Sequence, residues 1–186
     1  MLYNVIYSVN ANVEIYNSLL YNAGENILHL EGGEYKIVHC TITNNYSFSW
    51  GGRTMPILCY SNKNNPLKVE MINSIVYGNY SSEIDYKIDE EGLPAEYVFK
   101  NCLVKQYMKT VDTNIYKDCL INSSPKFVYE AIKDDTYRQY DYHLTSSSPA
   151  IGHASGDYSS SFPLDLDGNN RLQDGSSDIG CYEYIK

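Results

Sequence analysis

Val69-Glu-Met-Ile-Asn-Ser-Ile-Val76 is two short apolar runs hinged on an Asn-Ser pair. Asn tolerates the left-handed backbone conformation, and Ser fits where a bend brings two backbones close. The same eight-residue pattern occurs four more times. The segments are Val13-Glu-Ile-Tyr-Asn-Ser-Leu-Leu20, Tyr35-Lys-Ile-Val-His-Cys-Thr-Ile42, Tyr97-Val-Phe-Lys-Asn-Cys-Leu-Val104 and Asn114-Ile-Tyr-Lys-Asp-Cys-Leu-Ile121. Aligned, they form columns. Ile15, Ile37, Met71, Phe99 and Tyr116 make one apolar column, and Leu20, Ile42, Val76, Val104 and Ile121 make another. Between them run a small-residue column, Ser18, Cys40, Ser74, Cys102 and Cys119, and a polar column, Asn17, His39, Asn73, Asn101 and Asp118.

Successive small-column residues are 22, 34, 28 and 17 positions apart. A unit near 22 residues that tolerates insertions suits a parallel β-helix, in which each coil stacks its inward side chains on the same position one coil away. Five coils at the inter-strand spacing make a rod roughly 24 Å long. The fold expected is therefore all-β, with coils over residues 1–125. The polar column reads as a structural ladder at the bends, its amides bonding up and down the stack. Asn26–Leu30, Pro56–Tyr60 and Ile84–Ile88 alternate in hydrophobicity and read as second strands of the coils. Residues 126–186 lack the repeat and read as a cap. In it Phe127, Tyr142, Leu144, Ile151, Ile179 and Tyr182 are expected to lie over the last coil and hide its open edge.

Composition agrees with many strands and tight turns. The 186 residues include 20 Tyr and 18 Asn, against 4 Phe and 1 Trp. The net charge of −9 argues against a nucleic-acid partner. No apolar run reaches the roughly 18–20 residues of a membrane span. The five cysteines include no C-x-x-C pair, so neither a zinc knuckle nor a thiol–disulfide redox motif is expected. No secretory signal follows Met1, which begins directly on strand-like sequence. The chain is thus expected to be a fragment or a short form, self-associating through the edge of its first coil.

Several segments resemble bacterial right-handed parallel β-helix surface proteins of the choice-of-anchor Q group. Asn73-Ser-Ile-Val-Tyr-Gly-Asn79 is similar to one of their coils, and Thr41-Ile-Thr-Asn-Asn45 followed by Gly51-Gly52 to another. Ser124-Pro-Lys-Phe-Val128, Asp141-Tyr-His-Leu144, Ser148-Pro-Ala-Ile-Gly152, Asp165-Leu-Asp-Gly-Asn169, Arg171 and Asp178-Ile-Gly-Cys-Tyr-Glu183 resemble their C-terminal series, in order. Gly152-His153 and Cys181 depart from that pattern. The resemblance implies a right-handed coil and a parent protein exported to the cell surface or medium.

Chemistry is sparse. Glycoside hydrolysis needs paired carboxylates facing a common gap. The adjacent pair Asp134-Asp135 falls in the cap, and Glu14 and Glu70 share a column interrupted by Lys36 and Val98. No catalytic set is expected. Tyr46, Phe48, Trp50 and Arg53 crowd one insertion and are candidates for stacking on and bonding to sugar rings, with Trp50 exposed. Asp165, Asp167 and Asn169 alternate around Gly168 like the start of a calcium loop, but without its distant Glu. A turn held by pairing of Asp167 or Asp178 with Arg171 explains the same residues, so no cofactor beyond calcium is suggested. The reading is a non-catalytic surface or secreted protein that binds a polysaccharide or other glycan. The alternatives are a polysaccharide lyase or glycoside hydrolase fragment, and a structural spacer.

Overall fold

All five repeat segments fold across a bend. The computed structural model describes residues 4–45, 56–61, 64–88, 95–129 and 140–185. In the first layer β1 (Ile6–Tyr16) turns at Asn17 into β2 (Leu19–Tyr21). In the second, β3 (Leu28–Val38) turns at His39 into β4 (Thr41–Thr43). The third holds β5 (Ile57–Ser61), β6 (Leu67–Ile72) and, after Asn73, β7 (Ile75–Val76). The fourth holds β8 (Ile84–Ile88), β9 (Glu96–Lys100) and, after Asn101, β10 (Leu103–Val104). In the fifth, β11 (Tyr116–Lys117) turns at Asp118 into β12 (Leu120–Ile121).

Like strands pair in parallel between layers. One sheet is seven-stranded, built from β1, β3, β5, β6, β8, β9 and β11, and the other is five-stranded, in the order β12-β10-β7-β4-β2. The architecture is all-β, with parallel strands in stacked sheets. Both apolar columns are register columns. Ile15 pairs with Ile37, Ile37 with Met71, Met71 with Phe99 and Phe99 with Tyr116. Leu20, Ile42, Val76, Val104 and Ile121 pair in the same way across the other sheet. They meet in one core between the sheets, where the Phe99 and Tyr116 rings stack with centroids 5.1 Å apart.

Two expectations need correction. Asn26–Leu30 does not begin a separate second strand. Residues 28–30 continue into Tyr35–Val38 as the single strand β3, and β5 and β8 lie in that same sheet beside its first half. The alternation slips by one residue in β1 and β3 at Asn10 and Gly32, both at positive φ, so each strand bends while keeping its register. The other sheet consists instead of the short strands after each bend.

The second difference concerns the C-terminal segment. β13 (Phe127–Tyr129) and β14 (Asp141–Leu144) form an antiparallel pair, and α1 (Gly156–Ser159) is a single helical turn. Phe127, Tyr142, Leu144, Ala150 and Ile179 pack with Ile75 and Leu103, and Ile151, Tyr182, Leu19 and Leu120 join that cluster. These residues cover the outer face of the short-strand sheet along its side, where they were expected over its end. The reason is the paired apolar residues after each bend, such as Ile75-Val76 and Leu103-Val104. One residue of each pair faces the inner core and the other faces outward, so this parallel sheet needs cover on both faces.

Gly33 shows how tightly the layers meet. Its φ is +88°, and an added Cβ would lie 2.2 Å from the Ala11 carbonyl oxygen. Gly168 has the same φ with nothing within 4 Å. Gly33→Ala is expected to lower unfolding free energy by at least about 3 kcal/mol, against about 1 kcal/mol for Gly168→Ala. Urea denaturation of the two variants measures the difference.

Candidate functional site

β14 alternates cleanly. Tyr142 and Leu144 point into the side cluster, while Asp141 and His143 are partly exposed on the opposite face. His143 Nδ1 lies 2.6 Å from Asp141 Oδ1, and its Nε2 lies 2.8 Å from Asp167 Oδ2. Carboxylates only accept, so both ring nitrogens carry protons and the ring is an imidazolium. Burial pulls its pKa down, but the bonds from Asp167 and Asp141 outweigh that and raise it above 6.5. Burial likewise works to raise the pKa of Asp141, and its bonds from the His143 backbone and ring bring it below 3.8. The His143 ring also stacks on Tyr182, centroids 4.0 Å apart.

These groups wall an open cleft of about 520 Å³, lined by Leu19, Tyr129, Tyr140, Asp141, Tyr142, His143 and Tyr182. Its size lies in the usual range for small-ligand sites. The Tyr140 and Tyr142 rings stack at 5.8 Å, and Tyr142 meets Phe127 edge-on at 5.2 Å. The cleft thus offers flat aromatic area, phenol hydroxyls and one carboxylate. Sequence reasoning missed it because Leu19 and Tyr182 lie far along the chain from Tyr129, Tyr140 and Tyr142, and no repeat links them. One local signal was available: Asp141 and His143 sit two apart on a strand, on one face.

The polar ladder does structural work. Asn17, His39, Asn73, Asn101 and Asp118 all have φ of 49–52°. Four of them also hold the C-terminal segment. Arg171 donates to Asn17 Oδ1 at 2.7 Å, and Asn101 Nδ2 donates to the His153 carbonyl at 3.4 Å. Asn73 Oδ1 accepts from Ser155 N at 2.8 Å, and its Nδ2 donates to the Ser155 carbonyl at 3.0 Å. His39 Nδ1 faces the Gly180 carbonyl at 3.3 Å, and its Nε2 lies 2.9 Å from Ser159 Oγ, which also contacts Ser177 Oγ. His39 is fully buried. That burial, with the nearby Arg171 charge, lowers its pKa to about 3 despite the Gly180 bond. A buried neutral imidazole held between the Gly180 carbonyl and the Ser159 hydroxyl offers no access to substrate.

The calcium-like residues form a turn. Asp165 Oδ1 accepts the backbone N–H groups of Asp167 and Asn169 at 2.9 and 2.7 Å, and Oδ2 accepts Asn169 Nδ2 and Glu183 N at 3.0 and 2.9 Å. Asp167 turns away to His143. Arg171 pairs with Glu183 at 2.9 Å, neither with Asp167 nor with Asp178. Among the described residues no group of three or more His, Cys, Asp or Glu is placed to hold a metal. Tyr46, Phe48, Trp50 and Arg53 lie outside the described residues. Cys40, Cys59, Cys102, Cys119 and Cys181 are free thiols, and burial pushes Cys40, Cys59 and Cys181 up to about 12. No helix among the described residues is long and apolar enough to cross a membrane. No known protein family, characterised protein or solved structure matches the chain.

The two histidines carry opposite pH signatures. The folded pKa of His39 is below its unfolded value, so the unfolded chain binds the extra proton and stability falls as pH drops from 6.5 toward 3. Three layers already place Asn in this slot, so His39→Asn keeps the bend. It is expected to flatten the acid loss relative to wild type, by a few kcal/mol at pH 4 on the order set by that shift. The raised folded pKa of His143 means its stabilisation is complete below 6.5 and disappears as pH rises through the folded value. His143→Gln should therefore lower Tm at pH 5.5 and converge with wild type by pH 9. Both effects are read from thermal melts across pH. The His143 effect is expected to shrink in 0.5 M salt, because its partners are about half exposed.

Proposed function

We propose that the chain is a right-handed parallel β-helix module of a secreted or cell-surface protein, and that it binds a glycan without catalysis. The single observation that carries the reading is the cleft beside β14, whose lining includes four tyrosines and a half-exposed carboxylate. Sugar rings present apolar C–H faces edged with hydroxyls. Tyr140 and Tyr182 offer the matching flat surface, and Asp141 accepts from ring hydroxyls. Low-entropy, amphipathic Tyr side chains suit such contacts.

The stacked columns support the β-helix, since each layer passes from one sheet to the other and returns one strand spacing further on. The edge of β1, which among the described residues pairs only with β3, is where a second copy would add its own strand. The hydrolase alternative is less well supported. Asp141 and Asp167 grip the same imidazole and do not face each other across a gap that a sugar and a water can enter. Glu83, whose burial raises its pKa to about 7, is fully enclosed.

A glycan array followed by calorimetry on its best ligand tests the reading. Tyr182→Ala is expected to weaken binding roughly tenfold while circular dichroism stays unchanged. No new reducing ends or unsaturated products should form. Loss of binding in Trp50→Ala with Tyr182→Ala unaffected would move the site to the insertion after Asn45.

A further inference from the structure

We infer that the tyrosine cleft recognises an organic ammonium group, carried either by an unacetylated amino sugar or by a quaternary ammonium headgroup. The amino-sugar case rests on the glycan reading and names the group that reading leaves open.

The argument starts from what lines the cleft. No lysine or arginine does so among the described residues, and a chain of net charge −9 disfavours anions. Within the lining Asp141 and the His143 imidazolium balance, and Asp167, the second carboxylate on that ring just outside the lining, makes the three-group cluster net negative. Asp141 uses only Oδ1 internally, accepting from the His143 ring at 2.6 Å and the His143 backbone at 3.0 Å. Its Oδ2 has no partner among the described residues, and the side chain is 44% exposed beside the cleft. A neutral hydroxyl can bond that oxygen, but an ammonium adds charge to the bond.

The aromatic lining points the same way. Tyrosine faces carry negative quadrupole density, and several around one cavity attract alkylammonium groups. The cleft already holds one cation in this manner. The His143 imidazolium lies on the Tyr182 ring with a carboxylate at each nitrogen. An ammonium on the open side of Asp141 meets the same chemistry: the carboxylate is its counter-charge, and Oδ2 also accepts its hydrogen where the ammonium is primary.

Calorimetry with four probes tests the inference: a glucosamine tetramer, its fully N-acetylated counterpart, choline and tetramethylammonium, all at pH 6. The glucosamine tetramer is expected to bind at least about tenfold tighter than the acetylated one. Asp141→Asn should abolish that preference. Asn keeps the Oδ1 acceptor for His143, so the fold is retained, and it replaces Oδ2 with a donor that repels ammonium. Asp167→Asn removes the same charge outside the cleft lining and should leave most of the preference. Binding of choline and tetramethylammonium without either sugar would uphold the ammonium inference, assign the quaternary source and overturn the glycan reading. Equal binding of both tetramers, unaffected by Asp141→Asn, would overturn the ammonium inference and leave the glycan reading standing. Absence of binding by all four probes would overturn the ammonium inference, and the glycan array then decides the glycan reading separately.

Discussion

The passage from one sheet to the other depends on a bend that is repeated in every layer. One residue takes φ near +50°, and the next donates its side-chain hydrogen to the carbonyl two residues back. Ser18, Cys40, Ser74, Cys102 and Cys119 donate in this way to Tyr16, Val38, Ile72, Lys100 and Lys117, at 2.8 to 3.4 Å. The bend interrupts the strand ladder, and this bond occupies a carbonyl at the interruption. Ser and Cys are interchangeable here because both are small and both donate. Cross-layer bonds tie the bends together: Cys40 N donates to Ser74 Oγ at 3.0 Å, and Cys102 N to Cys119 Sγ at 3.4 Å.

The same ladder organises the C-terminal segment. A left-handed residue directs its polar side chain away from the core, so Asn17, His39, Asn73 and Asn101 offer bonding groups along one flank. Arg171 is fully buried there, pairing with Glu183 and reaching Asn17 and the Cys181 carbonyl. Burying such a pair costs several kcal/mol per ion in desolvation, so it is better understood as fixing where the segment lies than as a source of net stability. Apolar contacts with Ile75 and Leu103 supply the favourable burial. Asp165 and Asp178 hold the local chain by accepting backbone N–H groups at 2.7 to 2.9 Å.

Much of the layered part was legible in the sequence because identical positions meet their own kind. Ile15, Ile37, Met71, Phe99 and Tyr116 align on the page and in the sheet. The merging of Leu28–Leu30 with Tyr35–Val38 was hidden by Gly32-Gly33, which reads as a break but serves as a bend within one strand. The course of the C-terminal segment was illegible for another reason. Its anchors join residues 52 to 154 positions apart, such as Asn101 with His153 and Asn17 with Arg171, and no local period records such pairs. The cleft was equally obscured, because a high tyrosine count does not say which rings converge.

The contrast between His39 and His143 explains why the candidate site lies on the C-terminal segment. In the first four layers the polar side chain at the bend is committed to the C-terminal segment. His39 is buried, neutral and bonded on both nitrogens, and exposing it would release the segment it holds. On β14 the alternation that buries Tyr142 and Leu144 necessarily turns Asp141 and His143 outward, where no further layer covers them. The strand therefore presents charge on one side while its other side anchors in an aromatic cluster. A binding surface there can vary without disturbing the register columns, since Asp141 and His143 contribute nothing to the inter-sheet core. Rigid stacked layers thus carry a chemically freer face, the usual division between a scaffold and the site it supports.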